Sequence, residues 1–215
     1  MSHLHLPDGI LPLWLVMVGW IVTVAAVLVD LRLARRLELR RSLPRLGFVS
    51  ALMLLAMSAE ILPLAYHLNL SVIAGILLGP AMGLLSALIV CLFLALLGHG
   101  GLTVVGLNAP ILAIEILLGG LWFRAFLGLR LNAPLAAALS TLLSLATSTC
   151  AMLAVVWLSR LEPARIVEHG RPAHFEAFVH LVFTLGSIGW LLEALVTAGI
   201  VHYLCRVRPS LVEPA

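Results

Sequence analysis

Apolar residues fall into seven long runs along the chain, separated by short polar or helix-breaking segments. Read from the sequence, the runs are residues 10–31, 46–66, 68–79, 81–98, 103–123, 132–159 and 175–204. Stretches of about 18 or more apolar residues are typical of helices that cross a lipid bilayer. The pattern predicts an all-α integral membrane protein with about seven transmembrane helices, built as a single domain over residues 1–215.

The division between the third and fourth runs rests on Gly79-Pro80. Proline has no backbone N–H to donate within a helix, and it disfavours helical geometry in the residue before it. We therefore expect a short helix, a turn at Gly79-Pro80 and then a full-length helix. Merging the two runs into one crossing would place Arg124 and Arg130 on the opposite side of the membrane from the other clustered arginines.

Composition supports a lipid environment. Hydrophobic residues make up 62% of the 215, charged residues 11%, and the mean hydropathy is +1.15. A soluble domain carries about 25% charged residues, so this chain has too few charges to cover a water-exposed surface. The three cysteines lie inside apolar runs without metal-binding spacing, and we interpret them as small packing residues.

Arginine placement predicts the orientation. All thirteen basic residues are arginines, and six of them lie between the first two runs: Arg32, Arg35, Arg36, Arg40, Arg41 and Arg45. Such clusters mark cytoplasmic segments. With seven crossings the N-terminus is then outside, the C-terminus is cytoplasmic, and ten of the thirteen arginines fall on the inner side. The first run is preceded by no positive charge, unlike a cleaved signal peptide, and the net charge of +3 needs no nucleic-acid partner.

Histidines show the opposite bias under this topology. His3, His5, His67 and His99 fall at the outer surface, together with two histidines of the segment 160–174. Histidine is the commonest metal ligand. Pro7-Asp8-Gly9 is a turn signal that would fold the first six residues back against the outer face. An amine, amide nitrogens and imidazole in proximity suit Ni(II) and Cu(II), and imidazole also accepts cobalt.

Three acidic residues lie within the apolar runs, namely Glu60, Glu115 and Glu193. A carboxylate in hydrocarbon is costly, so each should be paired, protonated or near an interface. Glu60 is within two turns of His67. For Glu115 and Glu193, hydrogen bonding between helices and a functional role both remain open. Serines at residues 140, 144 and 148 recur every four positions and predict a close helix-packing face.

Four ordered motifs carry a family resemblance. They are HLPDG at residues 5–9, the stretch from His67 to Gly79-Pro80, GHGGLT at residues 98–103 and LEALVTA at residues 192–198. Together they resemble the cobalt/nickel substrate-binding membrane component of energy-coupling-factor transporters. The resemblance covers nearly the whole chain, and it implies seven helices with the N-terminal segment, residues 1–9, inserted into the bundle at an outward-facing metal site.

The resemblance also implies ligands and partners. In the family, the metal is held by the terminal amine, the backbone nitrogen and side chain of a second-position histidine, and an outer-loop histidine. His5 and His67 occupy the two motif positions, and His99 is a further candidate. Co(II) or Ni(II) would be the transported substrate, not a cofactor. The implied partners are a transmembrane coupling subunit and ATP-binding cassette ATPases, with a small accessory membrane subunit as a further candidate, in a prokaryotic plasma membrane.

One departure affects the N-terminal ligands, because His5 is preceded by four residues. Removal of Met1 would place His3 second and let the Ser2 amine chelate with it. Retention of Met1 would let Met1, Ser2 and His3 form an amine–amide–amide–imidazole plane by themselves. Alternatively, translation begins at residue 4. The sequence does not choose among these, nor between cobalt and nickel.

Two other functions compete. A haem protein using the outer-face histidines is the main alternative, but haem ligands should face each other inside a bundle. An intramembrane metalloenzyme is a further one, although the chain lacks an HExxH motif. The chain has no lysine, so it contains no P-loop. We therefore expect ATP hydrolysis only in partner subunits and no enzymatic activity here.

Overall fold

The computed structural model describes residues 6–34, 39–61, 66–159 and 175–212. This part of the chain forms seven α-helices and one antiparallel two-stranded hairpin. The helices are α1 (Leu13–Ala34), α2 (Leu39–Ser58), α3 (Ser71–Leu78), α4 (Pro80–Leu96), α5 (Val105–Gly128), α6 (Ala133–Leu158) and α7 (Phe175–Val207). The strands are β1 (Glu60–Ile61) and β2 (Tyr66–His67), which pair Glu60 with His67. A 3-10 turn, Pro209–Leu211, follows α7.

The helices define two ends of the bundle. At one end, a buried cluster that includes Leu6, Leu15 and Val156 joins the start of α1 to the start of α5, the end of α6 and the start of α7. We call it the histidine end, because β2 and the α4–α5 connection with His99 lie there. At the other, the arginine end, Arg45, Gly79 and Arg124 line one cavity between α2, α3 and α5.

The helices have the lengths and surfaces of a multi-pass membrane protein. Helices α1, α5, α6 and α7 are each long and apolar enough to span a bilayer. Large apolar side chains of α1, such as Leu13, Met17 and Ile21, are more than half exposed. Exposure of so many large apolar side chains on one helix fits contact with lipid and not with water.

The predicted break at Gly79-Pro80 is confirmed. Gly79 has a left-handed φ of 69° and separates α3 from α4, which begins at Pro80. Proline suits the first helical position, because that N–H would have no helical partner. However, α3 has only eight residues and is therefore about 12 Å long, too short to cross a bilayer of about 30 Å alone. The strand β2 and the turn at residues 69–70 lead into it from the histidine end.

Two predicted boundaries were wrong around α2. The run 46–66 predicted helix to residue 66, but α2 ends at Ser58 and the hairpin follows. The run also predicted the start of α2 at residue 46, but α2 begins at Leu39. Arg45 therefore lies inside α2, and Arg32 lies in the last turn of α1. Arginine is a good helix former, so a helix can extend beyond its apolar run.

Glycines let α3 pack tightly against α5. A Cβ at Gly75 would collide with the carbonyl oxygen of Ile116 and the backbone nitrogen of Gly120. On α6, the predicted small-residue face is buried, with Ser140, Ser144 and Ser148 at most 2% exposed. Close contact of α3, α5 and α6 places polar side chains of the helix interiors within reach of one another.

Candidate metal centre

Two of the predicted ligand residues meet at the histidine end. The imidazole rings of His67 and His99 have centroids 5.7 Å apart and lie at 83° to each other. His67 is half-buried and belongs to β2, whereas His99 is exposed. The backbone N–H of His99 donates to the carbonyl of Leu94 at 2.8 Å, which ties the residue to the last turn of α4.

The N-terminal segment is fastened beside these rings through Leu6. The side-chain amide of Asn108 accepts a hydrogen bond from the Leu6 N–H and donates one to the Leu6 carbonyl, each at 3.1 Å. The Gly101 N–H also donates to that carbonyl at 3.2 Å. Leu6 is 2% exposed, so its backbone polar groups need these partners. The predicted return of the first residues toward this face is therefore confirmed for Leu6.

Asp8 supplies a second attachment. Its carboxylate accepts hydrogen bonds from the N–H groups of Leu102 and Thr103, each at 2.8 Å, and from the Thr103 hydroxyl at 2.5 Å. A Cβ at Gly101 would collide with the Asp8 backbone nitrogen. The GHGGLT motif therefore needs glycine at position 101, because any larger residue would block the approach of the Pro7-Asp8-Gly9 turn to this connection.

The same contacts lower the pKa of the Asp8 carboxyl group. The hydrogen bond from the Thr103 hydroxyl is the main cause that lowers the pKa of Asp8 below its ordinary 3.8, aided by backbone N–H groups. For a carboxylate with a lowered pKa, the stabilisation is complete above its ordinary pKa. It is lost only as the pH falls through the lowered value. The attachment is therefore intact at neutral pH.

The remaining N-terminal candidates, Met1, Ser2, His3 and His5, lie outside the described residues. The first described residue, Leu6, is hydrogen-bonded through its carbonyl to Gly101, two residues after His99. Leu6 therefore lies beside the α4–α5 connection.

A buried polar cluster lies beyond His67 along the chain. The Glu193 carboxylate of α7 accepts hydrogen bonds from the N–H groups of Asn69 at 3.0 Å and Leu70 at 2.9 Å. The Glu115 carboxylate of α5 accepts from the Asn69 side-chain amide and from the hydroxyls of Ser71 and Ser148. Glu115 and Glu193 thus hydrogen-bond to neighbouring elements, which was one of the two expectations left open for them.

Chemically, the spacing of the two imidazoles is compatible with a shared metal ion. Rings that share one ion through bonds of about 2 Å have centroids roughly 4.5–6.5 Å apart, and the spacing of His67 and His99 falls in that interval. Among the described residues, no three histidine, cysteine or acidic side chains group closely enough to hold a metal.

Comparison with known protein families identifies the family to which this chain belongs. The family described as the cobalt uptake substrate-specific transmembrane region (CbiM) matches residues 5–211. The chain belongs to this family. The resemblance predicted from the four motifs is thereby confirmed, and this CbiM-family protein is a membrane component of transition-metal uptake. No individually curated protein matches the sequence significantly.

Solved structures share the fold of this CbiM-family protein. One, a truncated transition metal transporter, has a TM-score of 0.79 at 22% identity, covering 94% of this chain and 99% of its own. Another, a transition metal transporter, has a TM-score of 0.78 at 22% identity, covering 95% and 93%. At that identity, the likeness establishes the fold alone.

Two residues at the site of this CbiM-family protein were not predicted from the sequence. Asn108 lies inside the apolar run 103–123, and Asn69 lies two residues after His67. Both are fully or nearly fully buried asparagines, at 5% and 1% exposure. A buried amide requires partners, so an asparagine inside an apolar run is the signal that identifies such positions.

Proposed function

We propose that this chain is the substrate-capture subunit of a Co(II) or Ni(II) importer and that it takes the ion at the histidine end. The observation that carries the proposal is the convergence of the His67 and His99 rings with the anchored N-terminal segment. A nitrogen-rich donor set accepts either metal. In this proposal the segment contributes main-chain and terminal nitrogens, and the bundle contributes two imidazoles.

The proposed ligands come from Met1, Ser2, His3, His5, His67 and His99. Among them, His67 has the strongest support, since β-pairing and the buried Asn69 turn hold its backbone on both sides. The N-terminal residues 1–9 act as a metal-binding segment of a single transport domain that spans residues 1–215.

The proposed orientation puts the arginine end in the cytoplasm of a prokaryote and the histidine end outside its plasma membrane. Every arginine whose side chain is described lies toward one end of the bundle, which is the bias that positive-inside insertion produces. The histidine end then faces the medium from which metal is captured. The N-terminus is outside and the C-terminus is cytoplasmic.

The energy for uptake comes from other subunits in this proposal. The chain has no lysine and therefore no P-loop. ATP-binding cassette ATPases, joined through a transmembrane coupling subunit, would drive release of the captured ion. A small accessory membrane subunit is a further proposed partner.

Substitution of His67 tests the proposal. We expect His67→Ala to weaken nickel and cobalt binding by at least about tenfold, because water is a poor substitute for a coordinating imidazole. The measurement is calorimetric titration of each metal into detergent-purified protein with its native N-terminus. His202→Ala is the matched control, an exposed histidine near the opposite end of α7.

Binding should be unchanged in the His202→Ala control. Equal affinity of the wild type and His67→Ala would overturn the assignment of the site. A loss of binding that is equal in both variants would point to general damage and would likewise count against a specific role of His67.

A further inference from the structure

The turn before α3 is held by a carboxylate from a different helix. Leu70 precedes the helix with a left-handed φ of 57°, an uncommon conformation for a large side chain, and its own side chain makes no capping hydrogen bond. Instead, one oxygen of Glu193 accepts the N–H groups of both Asn69 and Leu70. A side chain of α7 thus stabilises a strained turn in the segment that carries His67.

A second carboxylate, that of Glu115, holds the same turn. One of its oxygens accepts from the Asn69 amide and the Ser71 hydroxyl, and its other oxygen accepts from Ser148 at 2.7 Å. The turn at residues 69–71 is therefore bonded to α5 and α7, and through Glu115 and Ser148 to α6. The side chains of Asn69, Ser71, Ser148 and both glutamates are at most 2% exposed, so water does not compete for the bonds.

We propose that Glu193 is a positioning residue for the metal site, acting by length and hydrogen bonding and not by charge. This inference rests on the proposed function of His67 as a ligand. Metal coordination demands placement of a ligand to about 0.5 Å, and the Asn69–Leu70 turn begins two residues after His67. By holding that turn in place, Glu193 determines where the backbone leaves β2. It thereby determines the position of the His67 imidazole.

Two substitutions of Glu193 distinguish the effect of side-chain length from the effect of charge. Glu193→Asp keeps the acid but withdraws the carboxylate by about 1.5 Å, the length of one carbon–carbon bond. Glu193→Gln removes the acid but keeps the reach and one acceptor oxygen. Oε1 of Glu193 accepts both N–H groups, so the carbonyl oxygen of the glutamine can take the same two bonds.

The test is nickel titration of the purified full-length chain, combined with the visible absorption spectrum of the bound ion as a readout of ligand geometry. Glu193→Gln should bind within about threefold of the wild type with the same spectrum, whereas Glu193→Asp should bind at least about tenfold more weakly with a shifted spectrum. Thr197→Val is the matched control. It removes a fully buried hydroxyl one turn along α7 that makes no hydrogen bond within the described residues, and it should bind as the wild type does.

The reverse pattern, with Asp normal and Gln impaired, would show that charge and not position matters and would overturn the proposal. Wild-type binding and spectrum in both variants would overturn it as well. If Glu193→Asp does not yield folded protein, Glu193→Gln decides alone, since tenfold loss there contradicts the positioning role and retained binding supports it. His67→Ala is titrated in parallel. Unchanged binding in that variant means that the proposed function fails, whatever the Glu193 variants do.

Discussion

The side-chain amide of Asn108 is one of the attachments, beside that of Asp8, by which individual residues join the N-terminal segment to the helix bundle. It satisfies both backbone polar groups of Leu6, as a neighbouring β-strand would. The two residues are 102 positions apart, so no local pattern predicts the pairing. The sequence did predict the turn at Pro7-Asp8-Gly9, because turn chemistry is local. The partner of the turn required the folded bundle.

Replacement of Asn108 should therefore weaken metal binding without unfolding the helices. In Asn108→Ala, the Leu6 N–H loses its acceptor, and we expect nickel affinity to fall by about tenfold or more. The control is Asn132→Ala, which removes the side-chain cap of α6 at the Leu135 N–H. That variant should lose about 1 kcal/mol of stability but keep its affinity. Titration and thermal unfolding of both proteins check this, and normal affinity in Asn108→Ala would contradict the anchoring role.

At the scale of elements, α3 is the part of the bundle that hydrophobic pattern describes least well. The break at Gly79-Pro80 was predictable, since proline and glycine act locally. The hairpin and the late start of α3 were not, because residues 59–70 are as apolar as the helix before them. Tertiary contacts determine these features, because Glu115 and Glu193 hold the turn at residues 69–71. Periodicity carries no information about such a partner.

The glycine contact between α3 and α5 gives a test at this scale. Gly75→Ala introduces a methyl group against the Ile116 carbonyl and Gly120 backbone, and it should destabilise the protein by about 1–3 kcal/mol through overpacking. Gly199→Ala is the control, since a Cβ at that position of α7 meets nothing within 4 Å. It should be neutral or slightly stabilising. Unfolding midpoints in detergent measure both, and an unchanged midpoint for Gly75→Ala would refute the tight packing.

For the whole molecule, the segregation of side chains between the two ends supports a direction of transport. Among the described residues, the arginines lie toward one end and the His67 and His99 rings lie at the other. Composition and arginine spacing predicted this separation from the sequence, because both are properties of long segments and tolerate boundary errors of several residues. Which end faces the cytoplasm follows from the insertion rule, and it can be measured.

Cysteine accessibility in intact cells gives that measurement. In a chain whose three native cysteines are replaced by alanine, Leu97→Cys lies in the exposed α4–α5 connection and Arg130→Cys in the exposed α5–α6 turn. We expect a membrane-impermeant maleimide to label position 97 in intact cells and position 130 only after permeabilisation. Labelling in the reverse order would invert the proposed topology.

The proposed position of the captured ion is at the histidine end, between His67 and the N-terminal segment. Crystals of the full-length protein grown with nickel, with diffraction recorded at the nickel absorption edge, locate the ion directly by anomalous scattering. We expect one strong peak about 2 Å from an imidazole nitrogen of His67, with the remaining ligands supplied from residues 1–5 and His99. A sole strong peak elsewhere, with no density beside His67, would contradict it.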